Sequence, residues 1–288
     1  MTRSPTLEEL RRTVHKQRHR EIGNWLARRV SRPMAVYGTW LAVRLRLSAH
    51  QVTLLALGAE FIGAAAIGSG TRAGFIAGAV LLHVWYWLDH VDGQVARWWK
   101  TASLDGVFFD YLMHHTWNLV VGFVLGYGMA ARTGDPAWAI AGGSMALGWS
   151  ILALANDCRY KAFFQRLKRE ETIYRIDGGS GGKPAPAPSW PRRGRGMLTW
   201  PAYKSCEPHV ILLGLTLMAG FAAFVPEVWL ASWRWSVRGM AILAPMLATA
   251  RCARVVARGA VNAEFDAWFH PWMEPGHSTA TDYDRTRV

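Results

Sequence analysis

Cysteine is nearly absent from this chain: Cys158, Cys206 and Cys252 are the only three in 288 residues, too few for a disulfide framework. Zinc is excluded on similar grounds, because Cys206 and His209 form one pair and no second pair has ligand spacing. An apolar core is missing from the opening residues, MTRSPTLEELRRTVHKQRHREIGNWLARRV. They are therefore not expected to act as a signal peptide or to insert in a bilayer. A phosphate-binding loop is echoed by GGSGGKP at 178–184, but Pro184 stands where Ser or Thr is needed and no strand precedes it. No nucleic-acid reading motif accompanies the basic residues, so no nucleic-acid partner is expected.

Apolar residues, by contrast, are abundant. They make up 51% of the chain, with 16 Trp and 28 Gly, and collect in six long runs at 52–70, 72–90, 104–131, 136–155, 209–231 and 237–257. Each is close to the ~20 residues that cross a bilayer as a helix, and an interior Pro245 is tolerable where neighbouring helices satisfy freed backbone groups. The expected fold is all-α: a polytopic membrane protein with six transmembrane helices.

The net charge of +13 is uneven. Residues 1–50 hold Arg11, Arg12, Lys16, Arg18, Arg20, Arg28, Arg29, Arg32, Arg44 and Arg46, and basic residues crowd 156–208 and the segment after 250. The connections at 69–72, 132–136 and 232–236 carry at most one each. The positive-inside bias then puts both termini and the 156–208 loop in the cytoplasm, with all three cysteines near cytoplasmic ends of spans, where thiols stay reduced. Leu7, Leu10, Val14, Ile22, Trp25 and Leu26 predict an amphipathic helix on the cytoplasmic surface, where the basic residues meet anionic lipid headgroups. The organisation expected is a cytoplasmic, interfacial segment over 1–50. A six-helix transmembrane catalytic domain follows over 51–288, broken by a flexible cytoplasmic loop at 165–205 that is rich in Gly, Pro and basic residues at 175–196.

Chemistry concentrates in LDHVDGQVARWWKTASLDGVFFDYLMHH, residues 88–115. At 100° per residue, Asp89, Asp92, Gly93 and Ala96 fall within an arc of about 100° on one helix face, and Gly106, Asp110 and His114 within about 80° on the next. His115 points about 140° away from Asp110. Ionisable groups at this depth are costly unless they face a polar cavity, a metal or each other. Carboxylates on two facing helices suit a hard divalent cation such as Mg²⁺. The small residues beside them leave room for a flat ring and a pyrophosphate.

The spacing D-x2-D-G-x2-A-R-x8-G-x3-D-x3-D is that of the CDP-alcohol phosphotransferases, and Asp89, Asp92, Gly93, Ala96, Arg97, Gly106 and Asp110 resemble it at seven positions. LSAHQVTLL at 47–55 stands where that family often has Pro-Asn-x-Val-Thr. The resemblance implies transfer of a substituted phosphate group from a CDP-linked donor, either CDP-diacylglycerol or a CDP-headgroup, to an alcohol acceptor. CMP would be released and phospholipid made. It implies two divalent ions, Mg²⁺ or Mn²⁺, on Asp89, Asp92 and Asp110. Gly93, Ala96 and Gly106 would pack on the cytidine, with Arg97 near the nucleotide. It further implies a homodimer in the plasma membrane, its site facing the cytoplasm and its other partners membrane lipids.

The eighth motif position is His114 instead of Asp, the family's base and second-metal ligand. An imidazole is a competent base near neutral pH and a metal ligand better suited to Mn²⁺ than to Mg²⁺, and Asn118, one turn on, is placed to orient it. Three readings stay open: an active enzyme with His114 as base or ligand, a weakened or inactive descendant, and a noncatalytic membrane scaffold or transporter. Further candidates for donor or acceptor binding are Asp157, Arg159 and Lys161 after the fourth run, and Glu207 and His209 at the fifth. Arg251 and Arg254 are expected to snorkel to lipid phosphate. Glu60, in mid-run, has no assigned role.

Overall fold

The computed structural model describes residues 5–14, 24–170, 174–176 and 196–271. Of the expectations above, the GGSGGKP echo and most of the 175–196 segment lie outside these, as do Ile22 and the basic residues at 16, 18 and 20. The chain divides into two compact units, Met1–Asn156 with Pro186–Cys252, and Asp157–Ala185 with Ala253–Val288.

In the first unit, helix α1 (Leu7–Thr13) starts at a capping box, the Thr6 hydroxyl accepting from Glu9 N–H while the Glu9 carboxylate accepts from Thr6 N–H. A π-helical stretch, Ala27–Ser31, leads into α2 (Arg32–Arg44). The expected single N-terminal helix is thus two among the described residues. Ser48 and Gln51 make a second capping box for α3 (Ala49–Gly68), and Thr71 caps α4 (Arg72–Trp99). Lys100, in the left-handed region at φ 54°, ends α4. Ser103 caps α5 (Leu104–Thr133) only a few residues later. That tight turn makes α4 and α5 antiparallel neighbours, with the acids of both at the same end.

Helix α6 (Ala137–Arg169) follows, then α7 (Gly196–Ser205), α8 (Pro208–Phe224) and α9 (Pro226–Ala257). Small residues bring the backbones together, as membrane helices require: a Cβ on Gly126 of α5 would lie 2.5 Å from Gly142 Cα of α6. Pro245 in α9 cannot donate to the Ala241 carbonyl, and Ser144 of α6 supplies that donor at 2.7 Å. The core holds a ladder of indoles, Trp85 stacked on Trp117 at 5.2 Å and Trp117 on Trp149 at 6.4 Å.

Among the described residues three helices, α3, α6 and α9, are long and apolar enough to cross a membrane, and the bent pair formed by α7 and α8 makes a fourth if it counts as one span. The fifth apolar run, 209–231, is not one helix. Val225 adopts φ −138°, ψ 76°, and Pro226 starts α9, because the residue before a proline is driven from helical geometry. Residues 226–231 therefore belong to α9.

The second unit packs Phe163, 4% exposed, against Phe265, Trp268 and Phe269. Here α10 (Ala260–Trp268) and a short antiparallel pair, β1 (Tyr174–Ile176) with β2 (Phe269–Pro271), add to the helices. Apart from that short pair, the regular structure of the described residues is helical, as the all-α expectation has it. Residues 165–169, 174–176 and 196–205 of the expected flexible loop carry regular structure.

Candidate functional site

All eight motif positions line one cavity of about 590 Å³, at the end of α4 and the start of α5, within the usual size of small-molecule sites. Asp89, Asp92, Gly93, Ala96 and Arg97 come from α4, and Gly106, Asp110 and His114 from α5. His115 is not in the lining, as its helical phase predicts.

Within the cavity, Asp89, Asp110 and His114 each bring one ligand atom into a group whose members all lie within 4.8 Å of one another. His114 Nε2 is the shared vertex, 3.4 Å from Asp89 Oδ1 and 3.7 Å from Asp110 Oδ1. Its ring meets the indole of Trp85 edge-on at 6.0 Å, whereas Asn118, buried one turn on, makes no hydrogen bond to it among the described residues. Asp92 stands apart from this group: its Oδ2 accepts a hydrogen bond from the Thr53 hydroxyl of α3 at 2.7 Å.

The donor set suits a divalent cation. Asp89 Oδ1 is buried without a hydrogen-bond partner among the described residues, a condition that water or hydrogen bonds normally relieve. The Asp110 carboxylate and the His114 imidazole converge with it, and such O/N sets bind Mg²⁺ or, more readily with nitrogen present, Mn²⁺.

Several lining residues were missed by the sequence reading: Arg32, His50, Thr53, His90 and Gln94. His90 lies between the first two motif acids, its Nδ1 donating to Tyr86 O at 2.9 Å and sitting 3.4 Å from Asp89 Oδ2. Gln94 accepts from the Thr39 hydroxyl at 2.9 Å and donates to Arg32 O at 3.1 Å, tying α2 to the cavity wall. Burial pushes the Arg32 guanidinium down from its ordinary pKa, and Arg28 acts in the same direction. A desolvated cation of this kind gains from an anion brought to it. The available signal was the capping-box entry at 47–55, which puts His50 and Thr53 at the start of α3. Arg32 carried none, since its place depends on packing.

The other candidates lie elsewhere. Arg159 pairs with Glu264, and it belongs with Asp157 and Lys161 to the second unit. Glu207 accepts from Lys204 at 2.6 Å and lies 3.4 Å from His209, a local group outside the cavity lining. Arg251 donates to Asn156, where snorkelling to lipid was expected. Glu60 is fully buried, and neither of its carboxylate oxygens has a hydrogen-bond partner among the described residues.

The geometry is that of an acidic cavity at the shared end of two antiparallel helices, walled by glycine and alanine, with one group of side chains that could hold a cation. Residues 46–163 match the family model for CDP-alcohol phosphatidyltransferase. A comparison with solved structures returned, as similar to this chain, the crystal structure of Mycobacterium tuberculosis phosphatidylinositol phosphate synthase (PgsA1) with CDP-DAG bound, at 19% identity and a TM-score of 0.46, over 78% of this chain and 92% of that one. A comparison with curated protein sequences returned no match.

Proposed function

We propose that this protein is a divalent-metal-dependent CDP-alcohol phosphotransferase that moves a substituted phosphate group from a CDP-linked donor to an alcohol acceptor in phospholipid synthesis. The observation that carries the reading is the convergence of all eight motif positions on one cavity, with the Asp89, Asp110 and His114 ligand atoms within 4.8 Å of one another.

Asp89, Asp110 and His114 would hold one cation, and Asp92 adds the fourth side chain of the set. A bound divalent ion supplies neutralisation of the pyrophosphate and of the leaving oxygen. Gly93, Ala96 and Gly106 leave a flat wall for the cytosine ring, and Arg97 and Arg32 face the donor's anionic end. His114 Nε2 faces both carboxylates. As a base it takes the acceptor hydroxyl's proton while that oxygen bonds to the β-phosphorus and the bond to the CMP oxygen breaks. As a ligand the same lone pair is occupied, so His114 can fill only one role at that atom at a time.

The proposal extends to six crossings, by α3, α4, α5, α6, α8 and α9. The cavity then faces the cytoplasm of the plasma membrane, supported by the basic bias of 1–50 and 156–208. A homodimer belongs to the same family-based reading.

The test is to incubate purified protein with labelled CDP-diacylglycerol or CDP-alcohol pools, an alcohol acceptor, and Mg²⁺ or Mn²⁺. CMP release that EDTA abolishes supports the reading. No release from any pool, or release indifferent to EDTA, overturns it and leaves the scaffold or transporter reading.

A further inference from the structure

We infer that helix α1 is a positioning element for the nucleotide end of the cavity: its last turn holds Arg97 against the cavity wall, so donor affinity depends on whether α1 is docked. This rests on the CDP-donor reading above.

The contact is direct. The Arg97 side chain, on α4, donates through Nε to the carbonyl of Val14, the C-cap residue of α1. Carbonyls at a helix end have no partner inside the helix, and a guanidinium offers a fixed fork of donors to such an oxygen. The rest of the fork turns toward the cavity, with Nη1 3.4 Å and Nη2 3.8 Å from where a Cβ on Gly93 would lie. Both Arg97 and Gly93 line the cavity. One guanidinium therefore touches α1 on one edge and the wall assigned to the nucleotide on the other.

What holds α1 there is mainly apolar. Leu10 and Val14 are fully buried and form a small core with Val36 of α2, against which Leu7, Trp40 and Trp98 pack. Trp98 is the residue next to Arg97, so the same patch of α4 both receives the helix and presents the guanidinium. The opposite face of α1 carries Glu8, Arg11 and Arg12, all exposed. The burial of Leu10 and Val14, helped by the Arg11 hydrogen bond to the Tyr37 hydroxyl at 3.3 Å, fixes the Val14 carbonyl in space. A long arginine side chain held in advance loses less conformational entropy when an anion arrives. Freed from Val14, Arg97 would have to be ordered by the donor itself.

The experiment measures CDP affinity by calorimetry on the full chain in detergent with Mn²⁺ present. Leu10→Glu puts a charge in the α1 core and undocks it. It is expected to weaken CDP binding about 10-fold, the scale of one charge-assisted hydrogen bond. Arg97→Ala is expected to weaken binding at least as much, and the double variant no more than Arg97→Ala alone, because the two act through one group. Leu10→Met restores wild-type affinity, and Arg12→Ala, on the exposed face, retains it. If Leu10→Glu does not fold, Leu10→Ala is read in the same cycle. Unchanged affinity in the folded Leu10 variants overturns the inference, as does an effect that adds to that of Arg97→Ala. Tighter binding on undocking also overturns it, since α1 would then hold Arg97 as a plug. A wild type that binds no CDP removes the CDP-donor reading as well, whereas a wild type that binds with no α1 coupling removes this inference alone.

Discussion

The Thr53 hydroxyl donates to Asp92 Oδ2 at 2.7 Å, joining α3 to α4 and holding Asp92 apart from the group made by Asp89, Asp110 and His114. Asp92 is 9% exposed, so the bond supplies a donor that water supplies poorly there. Thr53→Val removes it at nearly constant volume. The expected outcome is a loss of about 1–3 kcal/mol in unfolding free energy, the cost of leaving a buried acceptor unpaired, with weaker metal binding. Thr53→Ser keeps the hydroxyl and is expected to behave as wild type in denaturation and in Mn²⁺ titration.

Asp89→Asn and Asp110→Asn each remove a negative charge from the group around His114 Nε2. Both are expected to abolish Mn²⁺ binding, followed by electron paramagnetic resonance, and to abolish CMP release, while circular dichroism stays that of a folded helical protein. Asp92→Asn is expected to abolish release as well. CMP release that survives all three changes would remove the metal-enzyme proposal.

His114 separates base from ligand. His114→Asp restores the residue of the family pattern and is expected to retain partial activity, with the acidic limb of its pH profile moved to lower pH. His114→Ala is expected to lose about 10²–10⁴-fold in kcat/KM, the usual worth of general-base help. If Mn²⁺ affinity also falls in His114→Ala, the ring is a ligand. Wild-type turnover in that variant would show that the histidine only fills space.

Glu60 has two buried carboxylate oxygens without partners among the described residues, and a buried polar group left unpaired destabilises a fold. Glu60→Leu is expected to raise stability by about 1–3 kcal/mol in thermal or denaturant unfolding, with CMP release unchanged. A loss of activity at raised stability would instead assign the carboxyl a functional role.

Cys158 is exposed and Cys206 is buried, which makes the native thiols a topology probe. In a Cys252→Ser background, a membrane-impermeant maleimide is expected to label Cys158 in inverted membrane vesicles and not in intact cells. Labelling of intact cells would reverse the proposed orientation.

What the amino-acid sequence determined by itself is local. Helical phase follows from 100° per residue, so the placing of Asp89, Asp92, Gly93 and Ala96 on one face, and of Gly106, Asp110 and His114 on the next, could be read directly. So could most of the apolar runs that became helices. The break at Val225 was also local, and Pro226 marked it, but hydropathy alone ran through it because Val, Pro and Trp continue an apolar run. The rest needed the tertiary structure. Which side chains share a cavity depends on how α3, α2 and α1 pack against α4, and no periodicity within one helix specifies its neighbour. Thr53 meets Asp92 across 39 residues of chain, Gln94 meets Arg32 across 62, and Arg97 meets Val14 across 83. Arg159 and Arg251 show the converse: expected near span ends, they are committed by packing to Glu264 and Asn156. A charged side chain in a desolvated place takes whichever partner the fold brings within reach, and that is decided by packing between segments distant in sequence.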